Sequence, residues 1–333
     1  MSQEYVYTLA LVVVAVIFDF LNGFHDSANI VATMIASRAM APRRALLLSG
    51  VAHFVAPFLF GVAVATTIGK DVVSPETITL SVVMAALMSA IIWNLVTWFL
   101  GLPSSSSHAL IGGIVGAVVV GSGVDSILQD GLLKVIVALV VSPVLGLAFG
   151  YVLMKVVLFL VRGATPRVNS LFKRGQVLTA IALALSHGTN DAQKTMGIIT
   201  MGLVAGGFLS EFAVPLWVIA VSAAAISLGT ALGGWRIIRT LGVGLYRLQA
   251  VDGFVSQASS TLVILGAALV GGPVSTTQVV SSSIIGAGSA QRVSKVRWGV
   301  AYDILTAWLL TIPASALAAA LLYYPLNWLM GGA

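Results

Sequence analysis

Gly23-Phe24-His25-Asp26-Ser27-Ala28-Asn29 and, 165 residues later, Gly188-Thr189-Asn190-Asp191-Ala192-Gln193-Lys194 are two short polar blocks set inside long apolar stretches. Each places an acidic residue where its surroundings resemble hydrocarbon. An ionisable side chain at membrane depth costs roughly 2.5 to 3.5 kcal/mol on insertion scales, so one that recurs in matching context points to the handling of ions or a charged solute.

The surrounding composition supports that setting. Of 333 residues, 59% are hydrophobic and 8% charged, and mean hydropathy is +1.04. An ordinary soluble domain carries roughly 25% charged residues. Charge-free windows longer than a membrane span recur, as at 80–100, 135–161 and 261–285. The chain therefore reads as an all-α polytopic membrane protein. With no cysteine, disulfides, thiolate catalysis and Cys-ligated metals are excluded. The start, Met1-Ser2-Gln3-Glu4, lacks a basic n-region, so the first apolar stretch is expected to be a retained span. The net charge of +6 does not indicate nucleic acid, because the basic residues form small clusters between apolar stretches and no aromatic-interleaved patch accompanies them.

Splitting the chain at Gly, Pro and charge clusters gives ten apolar stretches, at 6–38, 44–69, 77–100, 101–121, 132–161, 177–206, 213–234, 247–270, 271–290 and 298–329. If all ten cross, every odd-numbered connection lies on one side. Those connections hold all of the 17 basic residues except Lys70, Lys134, Lys155 and Lys194. The bias places them in the cytoplasm and both termini outside, with Lys70 and Lys134 beside Asp71, Glu76, Asp125, Asp130 and Glu211 on the far side.

Three unlike features repeat at nearly constant spacing. Asp26 matches Asp191; Gly101-Leu102-Pro103-Ser104-Ser105-Ser106-Ser107-His108 matches Gly271-Gly272-Pro273-Val274-Ser275-Thr276-Thr277-Gln278; and Ser142-Pro143 matches Ile312-Pro313. The expected organisation is a first repeat at 1–161, a cytoplasmic linker at 162–176 and a second repeat at 177–333. Five stretches per half make the halves inverted copies, the usual plan of secondary transporters. The stretch from Val6 to Arg38 would be about 50 Å long as a helix, against a hydrocarbon core near 30 Å, so it must tilt or break. Gly23 and Gly188 stand just ahead of the two acids, and broken or kinked helices are expected there.

Asp26 and Asn29 would share one helix face and offer hard oxygen ligands to sodium, or Asp26 would carry a proton. Asp191 and Asn190 supply the second copy. There Lys194 stands where the first copy has Asn29, so its ammonium would replace a bound cation or help hold an anion. Ser104, Ser105, Ser106 and Ser107, with Ser275, Thr276, Thr277 and Gln278, read as paired, hairpin-like, hydroxyl-rich helix starts. Free backbone N–H groups and hydroxyls converging from two halves would cage a tetrahedral oxyanion, the weaker alternative being that these hydroxyls only bond back to their own helices or join neighbouring ones. Bound sodium ions or protons would offset the repulsion between the acids and the anion and so couple the two fluxes. A carboxylate lining the cage accepts a hydrogen bond from protonated phosphate but not from fully ionised sulfate.

Asp19, Asn22, Asn94, Asp252, Gln257 and Asp303 also lie within apolar stretches, as further site partners or helix glue. His25, His53 and His187 are expected to pair locally rather than to build a metal site. No tightly bound cofactor is implied. There is no P-loop, and no nucleophile and base outside the repeat, which disfavours a pump subunit or an enzyme.

The runs GFHDSAN, LSHGTNDAQK, GLPSSSSH and GGPVSTTQ, in that order, resemble the inorganic phosphate transporter (PiT) family, bacterial Pit permeases in particular. The resemblance spans nearly the whole chain. It implies cation-driven phosphate uptake across the inner membrane by a homodimer, with sodium or protons co-transported at the Asp blocks and the Ser/Thr runs holding the anion. Gln278 departs from a His often found at its place, and the long hydrophilic loop of many members is reduced to the segment around Arg162 to Gln176. Family carriers associated with sulfate lack the Asp signatures, which are intact here; a sulfate permease or a passive anion channel is the weaker alternative.

Overall fold

A computed structural model describes residues 3–70 and 78–331. Asp71 and Glu76, expected on the less basic side, fall outside the described residues. Among the described residues twelve α-helices run in this order: α1 Gln3–Ala36, α2 Pro42–Phe60, α3 Ala63–Lys70, α4 Leu80–Leu100, α5 Ser106–Ser122, α6 Gln129–Leu160, α7 Val168–Ala205, α8 Leu216–Leu232, α9 Trp235–Arg239, α10 Ala250–Leu269, α11 Thr276–Gln291 and α12 Trp298–Leu329. A short π-helical stretch, Thr240–Gly244, extends α9. Part of the expected linker, from Val168 onward, is thus the first turns of α7.

Six of these helices (α1, α2, α4, α6, α10 and α12) are long and apolar enough to cross a membrane; taking α8 with α9 and its extension as one bent span makes seven. The 38-residue α7 is not among them, because the polar block around Asp191 lies in its middle. The ten expected stretches each contain one main helix, and length and composition by themselves identify six or seven of these, among the described residues, as candidate spans.

The element order repeats. α1 through α6 correspond in sequence and length to α7 through α12, and α6 and α12 are both 32 residues long. Both long polar-block helices are continuous, which corrects the expected breaks at Gly23 and Gly188. These glycines serve close packing instead. A Cβ on Gly23 would run into the backbone oxygen of Ile226 on α8, and one on Gly188 would come within 3.1 Å of the His53 backbone on α2. The breaks fall one helix later. Gly61 and Gly233 take φ of 75° and 77° at the ends of α2 and α8, a region that disfavours a Cβ, and the α8–α9 bend is 57°.

Each break is capped by the other half. The Ser27 hydroxyl of α1 accepts from the Gly234 N–H (2.8 Å), and Gln193 Oε1 of α7 accepts from the Val64 N–H (2.8 Å). A chain interruption buried among helices would otherwise leave its amides unsatisfied.

α4–α5 and α10–α11 form two helical hairpins. Their turns open on Gly101 and Gly271, at φ 71° and 73°. The second helices start with Ser105 and Ser275, whose hydroxyls accept from the N–H groups of His108 (3.2 Å) and Gln278 (3.3 Å). Across the halves α5 packs on α12 and α11 packs on α6. α1 and α7 run antiparallel, as the pairs Asp26 with His187, Leu11 with Gly202 and Thr8 with Gly206 show.

Candidate functional site

The two hairpin turns and the polar blocks of α1 and α7 converge in the protein interior. Asp26, Asn29, Asn190, Asp191, Lys194, Ser104 to Ser107 and Ser275 to Gln278 are each at most 3% exposed. Asp26 Oδ1 accepts from Thr277 Oγ1 (3.0 Å), and Asn29 Nδ2 donates to the same hydroxyl (3.0 Å). Asp191 Oδ2 accepts from Thr276 Oγ1 (2.9 Å), and its other oxygen pairs with Lys194. The Lys194 ammonium also donates to Ser107 Oγ (2.5 Å) and the Val274 carbonyl (3.0 Å).

These contacts are reciprocal under the sequence repeat. Asn29 of the first half reaches Thr277 in the turn of the second, while Lys194 of the second half reaches Ser107 in the turn of the first. Gln278 Nε2 and His108 Nδ1, at matching positions of the two turns, lie 2.9 Å apart. A cavity of about 470 Å³ between α6 and α12 ends on this pair.

Not every predicted hydroxyl faces the centre. Ser105 and Ser275 cap their own helices, and Ser104 Oγ lies 2.7 Å from Thr97 Oγ1. Asn190 Nδ2 donates to the Gly272 carbonyl (3.2 Å). By contrast, Asp26 Oδ2, Asn29 Oδ1 and Asn190 Oδ1 are buried acceptors with no hydrogen-bond partner among the described residues. Unpaired buried acceptors cost roughly 1 to 3 kcal/mol each, which is strong reason to expect a positive partner or a donor there.

His25 and His187 pair with acids near them in sequence, as expected of local pairing, whereas His53 reaches Thr230 on α8. His25 Nδ1 lies 2.8 Å from Asp26 Oδ1, and His187 Nε2 stands between the carboxylates, 3.2 Å from Asp191 Oδ2 and 3.8 Å from Asp26 Oδ2. His53 stacks on His187 at 4.9 Å. Ligand atoms of Asp26, His187 and Asp191 all fall within 4.8 Å of one another, close enough to share one ion. The spacing of His187 to Asp191, one helical turn, is the signal that would have found it.

Other polar residues sort by contact. Asp252 completes a capping box with Gln249 and pairs with Lys295, and Gln257 donates to Thr33 Oγ1 (3.0 Å), so both hold helices together. Asp303 is exposed, not buried.

Residues 22–319 match the profile of the PHO4 phosphate transporter family. The chain is 46% identical to a probable low-affinity inorganic phosphate transporter of Rhizobium meliloti, over 95% of each chain. It is 43% identical to one of Bacillus subtilis, over 96% of this chain and 97% of that one. A solved structure described as the sodium-dependent phosphate transporter superposes with a TM-score of 0.87 at 25% identity, covering 97% of this chain and 99% of the other. This chain therefore belongs to the phosphate transporter family.

Proposed function

We propose that the chain is a secondary symporter that takes up inorganic phosphate across the cell membrane, driven by a sodium or proton gradient. The observation that carries this reading is the convergence of two buried carboxylates on the hydroxyl-rich turn of the second half, with Asn29 and Lys194, three residues after each acid, reaching reciprocally into the turns of opposite halves. Phosphate would be held by hydroxyls and N–H groups of Ser104 to Ser107 and Ser275 to Gln278, with Lys194 adding a positive charge. Cations would sit at Asp26, Asn29, Asp191 and Asn190, of which Asp26, Asn29 and Asn190 each keep one buried oxygen without a hydrogen-bond partner among the described residues. Without them a dianion beside two carboxylates is strongly opposed, and this opposition is what ties anion entry to cation entry. The sodium dependence named for the superposable structure favours sodium.

The antiparallel packing of the matching helices α1 and α7 supports an inverted relation between the halves, since a two-fold axis perpendicular to spanning helices lies in the membrane plane. The clustering of Lys and Arg in alternate connections supports ten crossings with cytoplasmic basic loops. Protonated phosphate is favoured over sulfate because a carboxylate accepts a hydrogen bond only from an anion that still carries a proton.

The test is uptake of labelled phosphate into proteoliposomes, with sodium and pH gradients imposed separately and sulfate as competitor. Uptake that follows one cation gradient and resists excess sulfate is expected. Uptake indifferent to both gradients would make the protein a passive anion pathway.

A further inference from the structure

A second group of buried polar side chains lies outside the site described above. Asp19 and Asn22 on α1, Asn94 on α4 and Thr195 on α7 are at most 2% exposed. Both polar atoms of each asparagine lack a hydrogen-bond partner among the described residues, and so, by strict geometry, do the Asp19 oxygens and the Thr195 hydroxyl, although that hydroxyl lies near enough to the Asp19 carboxylate to interact with it. A single orphan of this kind is unusual in a native interior, and four neighbouring residues call for a common reason.

Helix directions bring them to one level. α1 and α4 run in the same direction: Tyr7 and Ser81 in their first turns meet Leu329 and Met330 at the end of α12, and further along Thr97 lies 3.4 Å from His25. Asn94 therefore lies at the level of Asn22 on the neighbouring helix, each one turn before that contact. On the antiparallel α7, Thr195 faces Asp19, which is also within electrostatic range of Asp191 and Lys194.

The fold does not demand polarity here. Under the repeat, Asp19, Asn94 and Thr195 correspond to Ala184, Ile264 and Ile30, all fully buried. The same trio of helices thus packs with apolar side chains in the other half. Only Asn22 has a polar counterpart, His187.

We propose that Asp19, Asn22, Asn94 and Thr195 form a separate site for a small alkali cation, sodium by preference. Its donors are all hard oxygens from three helices: a carboxylate, two amide carbonyls and a hydroxyl. One negative charge matches a monovalent ion, whereas a divalent ion would be left with uncompensated charge in a dry interior. Beside Asp191, a bound cation would favour the charge balance that anion binding needs; only this role, not the site itself, rests on the proposed symport.

The experiment counts radioactive sodium bound per chain at equilibrium by the full-length protein in detergent, at fixed pH and without phosphate. Asp19→Asn should lose one sodium per chain, and Thr195→Ala and Asn94→Ile should weaken sodium binding at least tenfold. Thermal melting in sodium-free buffer should show Asp19→Asn at least as stable as the parent, with a smaller upward shift on adding sodium. Equal sodium counts and affinities in the parent, Asp19→Asn and Thr195→Ala would overturn the site, as would a pH-dependent count showing that Asp19 carries a proton instead. Should Asp19→Asn fail to fold, Thr195→Ala and Asn94→Ile decide the matter alone. Phosphate binding measured on the same samples separates this outcome from failure of the proposed transport.

Discussion

Asp26 and Asp191 occupy matching places on matching helices, yet their neighbours differ by a charge. Asp191 has an ammonium three residues along its own helix, whereas the position three residues after Asp26 holds the neutral amide of Asn29. Around Asp26 stand a hydroxyl and two imidazoles. Matching sequence blocks thus differ in their electrostatics: Asp191 has its own counter-ion nearby, and Asp26 must obtain one. Coupling to an external cation is therefore expected to lie mainly with the first half.

The largest effect expected from breaking this comparison is in Asp26→Asn, which should abolish driven phosphate uptake, by a hundredfold or more, with little change in melting temperature because no fixed charge loses its partner. Asp191→Asn should also abolish uptake, but it leaves Lys194 charged and buried, a loss on the order of 3 to 5 kcal/mol that melting curves would register as several degrees. The double change Asp191→Asn with Lys194→Asn should recover most of that stability without recovering uptake. If both single variants melt alike, the asymmetry is illusory.

Lys194→Asn alone sharpens the comparison, since it makes the second half a copy of the first. Its expected signature is a steeper sodium dependence of uptake, read from the Hill coefficient, because an external cation must now serve Asp191 as well.

Packing differs between the halves in a way that also predicts magnitude. Gly23→Ala drives a Cβ into the backbone of α8 and should be severely destabilising, while Gly188→Ala meets neighbours at 3.0 to 3.1 Å and should cost less. Expression and melting of the two variants side by side check the order.

Those glycines also show what sequence could and could not reveal. The apolar stretches, the matched motifs and the acids were legible because hydrophobic runs and short motifs are local signals. A glycine before each acid reads equally as a break or as a contact surface, and only the approach of α8 to Gly23 and of α2 to Gly188 decides it. The breaks beside Gly61 and Gly233 had no such acid to draw notice. Within the site, Thr277 meets Asp26 across a separation of 251 residues, which no local pattern encodes. The hydroxyl runs were found as a group, but which of them cap helices, as Ser105 and Ser275 do, depends on backbone φ and ψ at the turn.

Two smaller effects grade the turns. Thr277→Val removes the hydroxyl shared by Asp26 and Asn29 and should weaken phosphate affinity by about tenfold, in line with roughly 1.5 kcal/mol for a bond to a charged group. Gln278→Ala loses one contact to His108 and should weaken it by about threefold.

The most direct test of the account is the linkage between phosphate and cation in the purified protein. Phosphate affinity is measured by equilibrium binding across sodium concentrations at fixed pH, for the parent and for Asp26→Asn. The account predicts that sodium tightens phosphate binding in the parent and that this tightening disappears in Asp26→Asn, since reciprocal coupling requires the carboxylate that holds the cation. Identical sodium dependence in the two proteins, with unchanged phosphate affinity, would contradict it.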